Sequence, residues 1–251
     1  MKTIKIAYLY PDLMNLYGDN GNLRILEREL KHQNDVDVRI DRYSVNDEMT
    51  LQGYDFVYMG SGTEQSLLTA VRDMHRIADR LKNYIEEGNP MLMTGNSFLA
   101  LGTSIETIDG KHIEALGLVG FTSKLYKTRD KKDVVFHLCE GKTDDLAIGF
   151  MNRSFTVDLE EGVEPLFDVV LGIGNNKDAL KGKFEGIRYR NLFCSSMTGP
   201  ILVKNPWFLQ KICGMIRERL GLGYVPSDDE NQKKAYEMGL AGLMSSNPAK
   251  G

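Results

Sequence analysis

Residues 90–102 read PMLMTGNSFLALG, and this stretch decides how the rest of the chain is interpreted. The apolar residues 91–93 predict a buried strand, and residues 98–101 follow with a helical pattern. Between them, residues 94–97 predict a sharp strand-to-helix turn. In α/β enzymes a turn of this kind, a nucleophile elbow, holds a nucleophile above the sheet beside a helix N-terminus that stabilises negative charge. The elbow shape is therefore predicted, but no obvious nucleophile occupies it.

Strand and helix patterns alternate in the first half of the chain. Strands are predicted at residues 4–10, 36–40 and 55–59, and helices are predicted after Asn22, as an N-cap, and over residues 66–87. This alternation favours a parallel sheet with helices on both faces. Ligand sites in such sheets lie beyond the carboxyl ends of the strands, which selects three loops: residues 11–22, 60–65 and 94–97.

The second half changes to short strand candidates. They fall at residues 118–121, 134–138, 147–150, 155–157, 169–171 and 187–194, and Pro206 begins a further helix. We expect one domain over residues 1–223. A polar tail over residues 224–251 follows, with a possible short helix, and we expect it to be loosely attached or to dock on a partner.

Composition excludes several classes of function. With 251 residues and 42% hydrophobic side chains, the chain can bury a sizeable core. A net charge of -4 argues against nucleic-acid binding, and no apolar run approaches the ~20 residues that span a bilayer. Cys139, Cys194 and Cys213 share no CxxC spacing, so the sequence predicts neither a disulfide framework nor a metal site. We expect a reduced, cytoplasmic protein without a cofactor.

Several stretches, in order, carry a resemblance to a known family: residues 9–26 (LYPDLMNLYGDNGNLRIL), 60–65 (GSGTEQ), 90–102, 185–193 (EGIRYRNLF) and 198–206 (TGPILVKNP). The chain resembles class I glutamine amidotransferases of the cobyric acid synthase type, and within that group the amidotransferase subunits of lipid II isoglutaminyl synthases. The resemblance implies a flavodoxin-like three-layer fold, with a central, mostly parallel sheet and extra antiparallel strands in the second half. It also implies that the chain supplies ammonia from glutamine to a Mur-ligase-like partner, as one subunit of a heterodimer that amidates the peptidoglycan stem peptide.

The resemblance also assigns roles to positions. The family uses an elbow cysteine as nucleophile and a histidine just before a Gly-Pro pair as base. Backbone N–H groups of the loop Gly60, Ser61 and Gly62, and of the elbow at Asn96, would stabilise the oxyanion. A tight strand-to-helix connection is an equal alternative for the loop. Arg129 lies near where the family holds glutamine with an arginine, but the charge run at residues 129–133 is also typical of an ordinary solvated hairpin, an interpretation that is slightly favoured.

The sequence departs from the family at both catalytic positions. The cysteine position falls on Thr94 or on Gly95, depending on the end from which the elbow is aligned, and the histidine position is Thr198. Arg153 stands where the family carries a histidine, as an anion-binding or a surface arginine. Hydrolysis of glutamine by the thiol mechanism is therefore predicted to be absent.

Three functions remain open. The first is a degenerate amidotransferase subunit that still acts with its ligase. The second is a hydrolase or acyl-transfer enzyme that uses the hydroxyl of Ser97 or Thr94, although such a hydroxyl needs an activating base. The third is a binding module whose pocket holds glutamine or another small acid.

Overall fold

A computed structural model of the chain describes residues 1–139, 145–178 and 181–246. Its helices are α1 (Gly21–Lys31), α2 (Glu64–Met74), α3 (Ala78–Glu86), α4 (Ile201–Lys204), α5 (Pro206–Arg219) and α6 (Glu230–Ser246). Its strands are β1 (Lys2–Leu9), β2 (Val36–Tyr43), β3 (Phe56–Met59), β4 (Met91–Thr94), β5 (Ser104–Glu106), β6 (His112–Glu114), β7 (Phe121–Leu138), β8 (Leu146–Leu159), β9 (Phe167–Leu171), β10 (Phe184–Glu185), β11 (Ile187–Tyr189), β12 (Leu192–Ser195) and β13 (Met197–Thr198).

The first sheet forms the middle of a three-layer α/β fold. Its strand order is β11-β12-β4-β3-β1-β2, and every neighbouring pair is parallel except β11 with β12. Apolar side chains of α2 and α3 pack on one face, and those of α1 and α5 pack on the other. The predicted flavodoxin-like arrangement is confirmed, and β4 lies between β3 and β12. The loops after these three strands therefore meet at one edge.

The second sheet has seven strands, and two of them, β7 and β8, are longer than the sequence pattern predicts. Residues 118–121 and 134–138 were expected as separate strands, but β7 runs through the polar segment between them, and β8 merges two further candidates in the same way. The charged side chains of this segment lie on an exposed strand, so their polarity does not mark a turn. An irregularity in register between Leu125 and Asp130 absorbs the change in pairing with β8.

Two helix predictions were wrong in detail. The helix expected over residues 66–87 is interrupted by a 3₁₀ turn, His75–Ile77, between α2 and α3. The apolar stripe continues through this turn, so periodicity alone does not reveal it. The helix expected after the elbow is only a 3₁₀ turn, Ser97–Leu101.

Asn22 does not cap α1, because the helix begins one residue earlier, at Gly21. Its side-chain amide instead donates to Tyr58 Oη at 2.7 Å and to the Gly199 carbonyl at 3.2 Å. Its Oδ1 accepts from the Leu202 backbone N–H at 2.9 Å. Asn22 therefore ties α1 to the central sheet and to α4.

The polar tail forms a 17-residue helix, α6, which contacts the rest of the chain. Tyr236 Oη donates to the Leu146 carbonyl at 2.7 Å, and Gln232 Nε2 donates to the Val203 carbonyl at 3.1 Å. The helix is longer than the short one expected, and it packs on this chain's own β8 and α4. The boundary at residue 223 stays a prediction.

Within the described ranges, no helix combines the length and the apolar character that crossing a bilayer requires.

Candidate functional site

Gly95 forms the apex of the elbow and has no room for a side chain. It follows β4 directly and has a φ of +66°, a conformation that L-residues rarely adopt. A Cβ placed on Gly95 would lie 2.2 Å from Ser61 Cβ and 3.2 Å from Ser61 Cα. Because these atoms belong to or adjoin the backbone of the neighbouring loop, they cannot move aside without shifting that loop. The apex is therefore built for glycine.

The hydroxyls of Thr94 and Ser97 face the interior of the protein, and both residues are fully buried. Thr94 Oγ1 lies 3.0 Å from Tyr58 Oη and 3.3 Å from Asp19 Oδ1. Ser97 Oγ contacts the carbonyls of Thr94 and Met59 at 2.8 Å and 3.1 Å. Each hydroxyl is thus engaged in a contact that holds the elbow to the sheet or to the strand beside it.

The side chain of Asp19 holds the glycine-rich loop after β3 (residues 60–62) in place. The buried carboxylate of Asp19 accepts from Ser61 Oγ at 2.8 Å and from the Tyr17 backbone N–H at 3.2 Å. Burial raises the pKa of Asp19 above its ordinary value. Gly60 packs directly over this residue, since a Cβ at Gly60 would lie 2.6 Å from Asp19 Cβ. Asp19 therefore supports the glycine-rich loop through its side chain.

Asn96 joins the elbow to the glycine-rich loop through its side-chain amide. Its Oδ1 accepts from the Gly62 backbone N–H at 2.9 Å, and its Nδ2 donates to the Gly62 carbonyl at 2.9 Å. The residue is 9% exposed. The N–H of Gly62, one of the predicted oxyanion donors, thus already binds a carboxamide oxygen from within the chain.

Thr198 lies beside the elbow, as the resemblance implies for the family's base. The Gly95 N–H donates to the carbonyl of Met197 at 3.0 Å, which places β13 against the apex. The Thr198 hydroxyl donates to the Phe150 carbonyl at 3.1 Å. A threonine hydroxyl has no basic nitrogen, so it cannot collect a proton as an imidazole does.

No histidine or cysteine side chain takes over from the missing pair. The four histidines, His32, His75, His112 and His137, lie away from the cavity that the elbow borders. Cys194 is buried in β12, and burial raises the pKa of its thiol well above its ordinary value. The described residues also contain no cluster of His, Cys, Asp and Glu suited to a metal ion.

Arg129 closes the mouth of the site by pairing with Glu64 at the start of α2. The two side chains are 2.6 Å apart, and each is about one-third exposed. Glu64 Oε1 also accepts from Ser154 Oγ at 2.5 Å. The arginine that the sequence suggested as a substrate ligand therefore already holds a carboxylate of the same chain.

The cavity that remains is about 10 Å³, room for about one water molecule. Of the predicted site residues, it is bordered by Ser61, Gly62, Gly95, Asn96, Arg129 and Thr198. Gly60, Thr94 and Ser97 do not border it. Pockets for small ligands usually measure about 300–1,000 Å³. In this structure the cavity has no room for glutamine.

Sequence reasoning missed one part of the site, a buried cluster around Glu185 and Ser196. Glu185 is fully buried; it accepts hydrogen bonds from the hydroxyls of Ser195 and Ser196 and from the Ser196 N–H, at 2.7–2.9 Å. Burial raises the pKa of Glu185. Glu185 is the first residue of the motif EGIRYRNLF, but the motif gave no signal that it is buried, because a Glu is ordinarily a surface residue.

Comparison with known proteins places this fold and elbow in a family. Residues 5–206 match the model of the CobB/CobQ-like glutamine amidotransferase domain, which covers most of the chain. The chain belongs to the CobB/CobQ-like glutamine amidotransferase family.

Two relatives in this family carry the same name. The chain is 30% identical over 236 residues to the lipid II isoglutaminyl synthase (glutamine-hydrolyzing) subunit GatD of Staphylococcus aureus, covering 92% of each chain. It is 32% identical over 203 residues to GatD of Streptococcus pneumoniae, covering 80% of this chain and 76% of the relative. The recognition made from the sequence motifs is confirmed.

A solved structure with low sequence identity supports the fold alone. The structure of PurLQS from Thermotoga maritima matches with a TM-score of 0.53 and 16% identity, covering 97% of this chain and 100% of that one. Of the features that the resemblance implies for the family's site, this chain has the elbow and the loops around it. It lacks the thiol, the imidazole and an open pocket.

Proposed function

We propose that this chain is an amidotransferase-like subunit that has lost thiol-dependent glutamine hydrolysis. The observation that carries the proposal is the apex at Gly95, where Ser61 fills the space of the first side-chain atom. We assign the family's nucleophile position to Gly95 rather than to Thr94, since Gly95 has the strained apex conformation and borders the cavity. The site therefore differs by more than a substitution of the cysteine, because Ser61 occupies the space that a cysteine side chain would need.

Two further contacts support the proposal, because they place substrate-like groups of the chain itself in the pocket. The carboxamide of Asn96 binds the N–H of Gly62, where the amide of glutamine would become an oxyanion. The carboxylate of Glu64 binds Arg129, where the resemblance implies that the family holds glutamine. Together these contacts hold the pocket in a closed and internally occupied arrangement.

We further propose that the subunit acts with a Mur-ligase-like partner in modifying the peptidoglycan stem peptide. The motivation is the relatives' name, which describes subunits of lipid II isoglutaminyl synthase. In this account the partner uses free ammonia, while this chain stabilises or gates it. The three cysteines are free thiols, consistent with our proposal that the complex lies in the reducing cytoplasm.

The partner proposal is tested by co-expressing the chain with the Mur-ligase-like protein encoded beside it. We expect a stable complex in size-exclusion chromatography, and amidation of lipid II with ammonium chloride but not with glutamine. The ligase alone is the control for any dependence on this subunit. Absence of a complex would contradict the partner assignment without bearing on the lost glutaminase.

A further inference from the structure

Helix α6 lies against β8 and α4, but few contacts hold it there. None of the residues Glu230–Ser246, all of which the structure describes, is buried, whereas seven residues of α5 are. The polar contacts of α6 include Tyr236 Oη with the Leu146 carbonyl, at 2.7 Å, and Gln232 Nε2 with the Val203 carbonyl, at 3.1 Å. Because packing of an apolar face supplies most of the stability of a helix in a protein, α6 is weakly attached.

A groove of about 390 Å³ remains between α6 and the rest of the protein. Ile148 of β8 and Val203 of α4 lie on one side of this groove, and Tyr236 and Leu243 of α6 lie on the other. At Gly239 the helix approaches closely, since a Cβ there would lie 2.9 Å from Ile148 Cδ1. Tightly packed elements leave few gaps larger than a water molecule, so a groove of this size means that contact energy is missing.

The second half of α6 has no division into an apolar and a charged face. Residues 238–246 carry no charged side chain, and on the outer side Met238 is 67% and Met244 43% exposed. A surface helix normally turns its apolar stripe to the core and its charges to water. Without this division, the hydrophobic effect gives the docked position only a small advantage. Gly239 and Gly242 further lower the helix propensity, so α6 is marginal as a helix once it is undocked.

The segment before α6, residues 224–229, is held on α1 by a buried carboxylate. Glu29 is 3% exposed, and it accepts from Tyr224 Oη at 2.7 Å, from the Ser227 N–H at 2.8 Å and from the Ser227 hydroxyl. Hydrogen bonds to a carboxylate are stronger than those between neutral groups. This strap (residues 224–229) therefore fixes the point at which α6 begins, independently of the contacts that α6 itself makes.

We propose that α6 is a latch, which detaches reversibly from β8 and α4 and pivots on the strap while the rest of the chain stays folded. Opening removes one side of the groove and exposes Ile148, which is 6% exposed when α6 is docked. The opening is a local one, and its free energy is smaller than that of global unfolding. The latch depends on neither the lost glutaminase nor the ligase partner, and its test uses the full chain alone. Its failure therefore leaves those two proposals standing.

Hydrogen exchange of the backbone amides under native conditions measures the opening. We expect the amides of residues 234–246 to exchange roughly 10³-fold faster than the protected amides of α5, yet more slowly than those of an unfolded peptide. Equal protection in α6 and α5 would show that the two helices unfold together and would overturn the latch. Amides in α6 that exchange as in an unfolded peptide would overturn the docked state.

Trp207, the single tryptophan of the chain, reports on the same event. Its Nε1 donates at 3.1 Å to the Leu146 carbonyl, the same oxygen that accepts from Tyr236 Oη. In a urea titration the fluorescence of Trp207 should therefore change at a lower urea concentration than the far-UV circular dichroism of the whole chain, and change again as the core unfolds. Coincident transitions of the two signals would contradict an independent latch.

Three conservative variants decide which contacts close the latch. Tyr236→Phe removes one of its hydrogen bonds and should speed exchange in α6 roughly 10-fold, with an unchanged midpoint of the circular-dichroism transition. Tyr189→Phe is the matched control, because it removes a bond of 2.9 Å between β11 and Glu86 of α3, and it should leave exchange in α6 unchanged.

Gly242→Ala acts in the opposite direction. An added Cβ there would point into open space, and alanine favours the helix, so exchange in α6 should slow roughly fivefold. Equal responses to Tyr236→Phe and Tyr189→Phe, or a shifted circular-dichroism midpoint in Tyr236→Phe, would overturn the proposal.

Discussion

Replacing Gly95 with alanine is expected to lower the free energy of unfolding by roughly 2–5 kcal/mol. One part of the loss is backbone strain, because Gly95 has a φ of +66°. The larger part is overpacking, because the new Cβ would lie 2.2 Å from Ser61 Cβ. Chemical denaturation at neutral pH measures the change.

Gly117→Ala is the matched control, since Gly117 has a φ of +62° and an added Cβ there would meet no other atom within 4 Å. This variant should lose only about 1 kcal/mol of unfolding free energy, which is the cost of the backbone strain alone. The double variant Ser61→Gly with Gly95→Ala should recover part of the overpacking loss, giving a coupling between the two sites. Equal costs at Gly95 and Gly117, without coupling to Ser61, would contradict the crowded apex.

The same geometry governs any attempt to restore the nucleophile. Gly95→Cys should be destabilised like Gly95→Ala and should release no glutamate from glutamine. Its Cβ would meet Ser61 Cβ, and Thr198 would offer the thiol no basic nitrogen.

Removing the side chain of Asn96 is expected to cost roughly 2–4 kcal/mol of stability. Asn96→Ala would leave both the N–H and the carbonyl of Gly62 without their present partner in a buried position. It should also speed hydrogen exchange at the Gly62 amide, which reports the local opening of the glycine-rich loop.

Asn191→Ala is a suitable comparison, because Asn191 donates a single side-chain hydrogen bond, at 2.6 Å to the Gly88 carbonyl. That variant should cost about 1 kcal/mol and leave exchange at Gly62 unchanged. The role given to Asn96 would be wrong if its replacement were no more damaging than that of Asn191, with Gly62 still protected.

The fold could be predicted from the sequence because its signals are local. Apolar runs such as residues 91–93, and the helix patterns between them, are enough to predict the parallel sheet and its three loops. The loss of both catalytic residues was likewise visible, as Thr198 and a thiol-free elbow.

The rest depended on contacts between residues distant in the chain. Two alignments left Thr94 and Gly95 equally eligible for the apex. Only the backbone geometry shows that the Thr94 side chain faces Asp19, whereas Gly95 forms the apex at the cavity. Ser61 fills the space at Gly95, and Gly62 is hydrogen-bonded to Asn96. In both contacts the two residues are 34 positions apart in the sequence. The sequence left Arg153 open as an anion-binding or a surface arginine, and it could not show that the residue is buried, because burial of a charge in β8 follows from tertiary packing.

The most direct test of the central claim is glutamine hydrolysis by the purified chain, alone and with its ligase, measured as glutamate released. GatD of Staphylococcus aureus, named as glutamine-hydrolyzing, serves as the positive control. We expect glutamate release at least roughly 10³-fold below that of the control, because nucleophile and base are both absent. Release at a rate comparable with the control, abolished by Thr198→Ala or Ser97→Ala, would contradict the account.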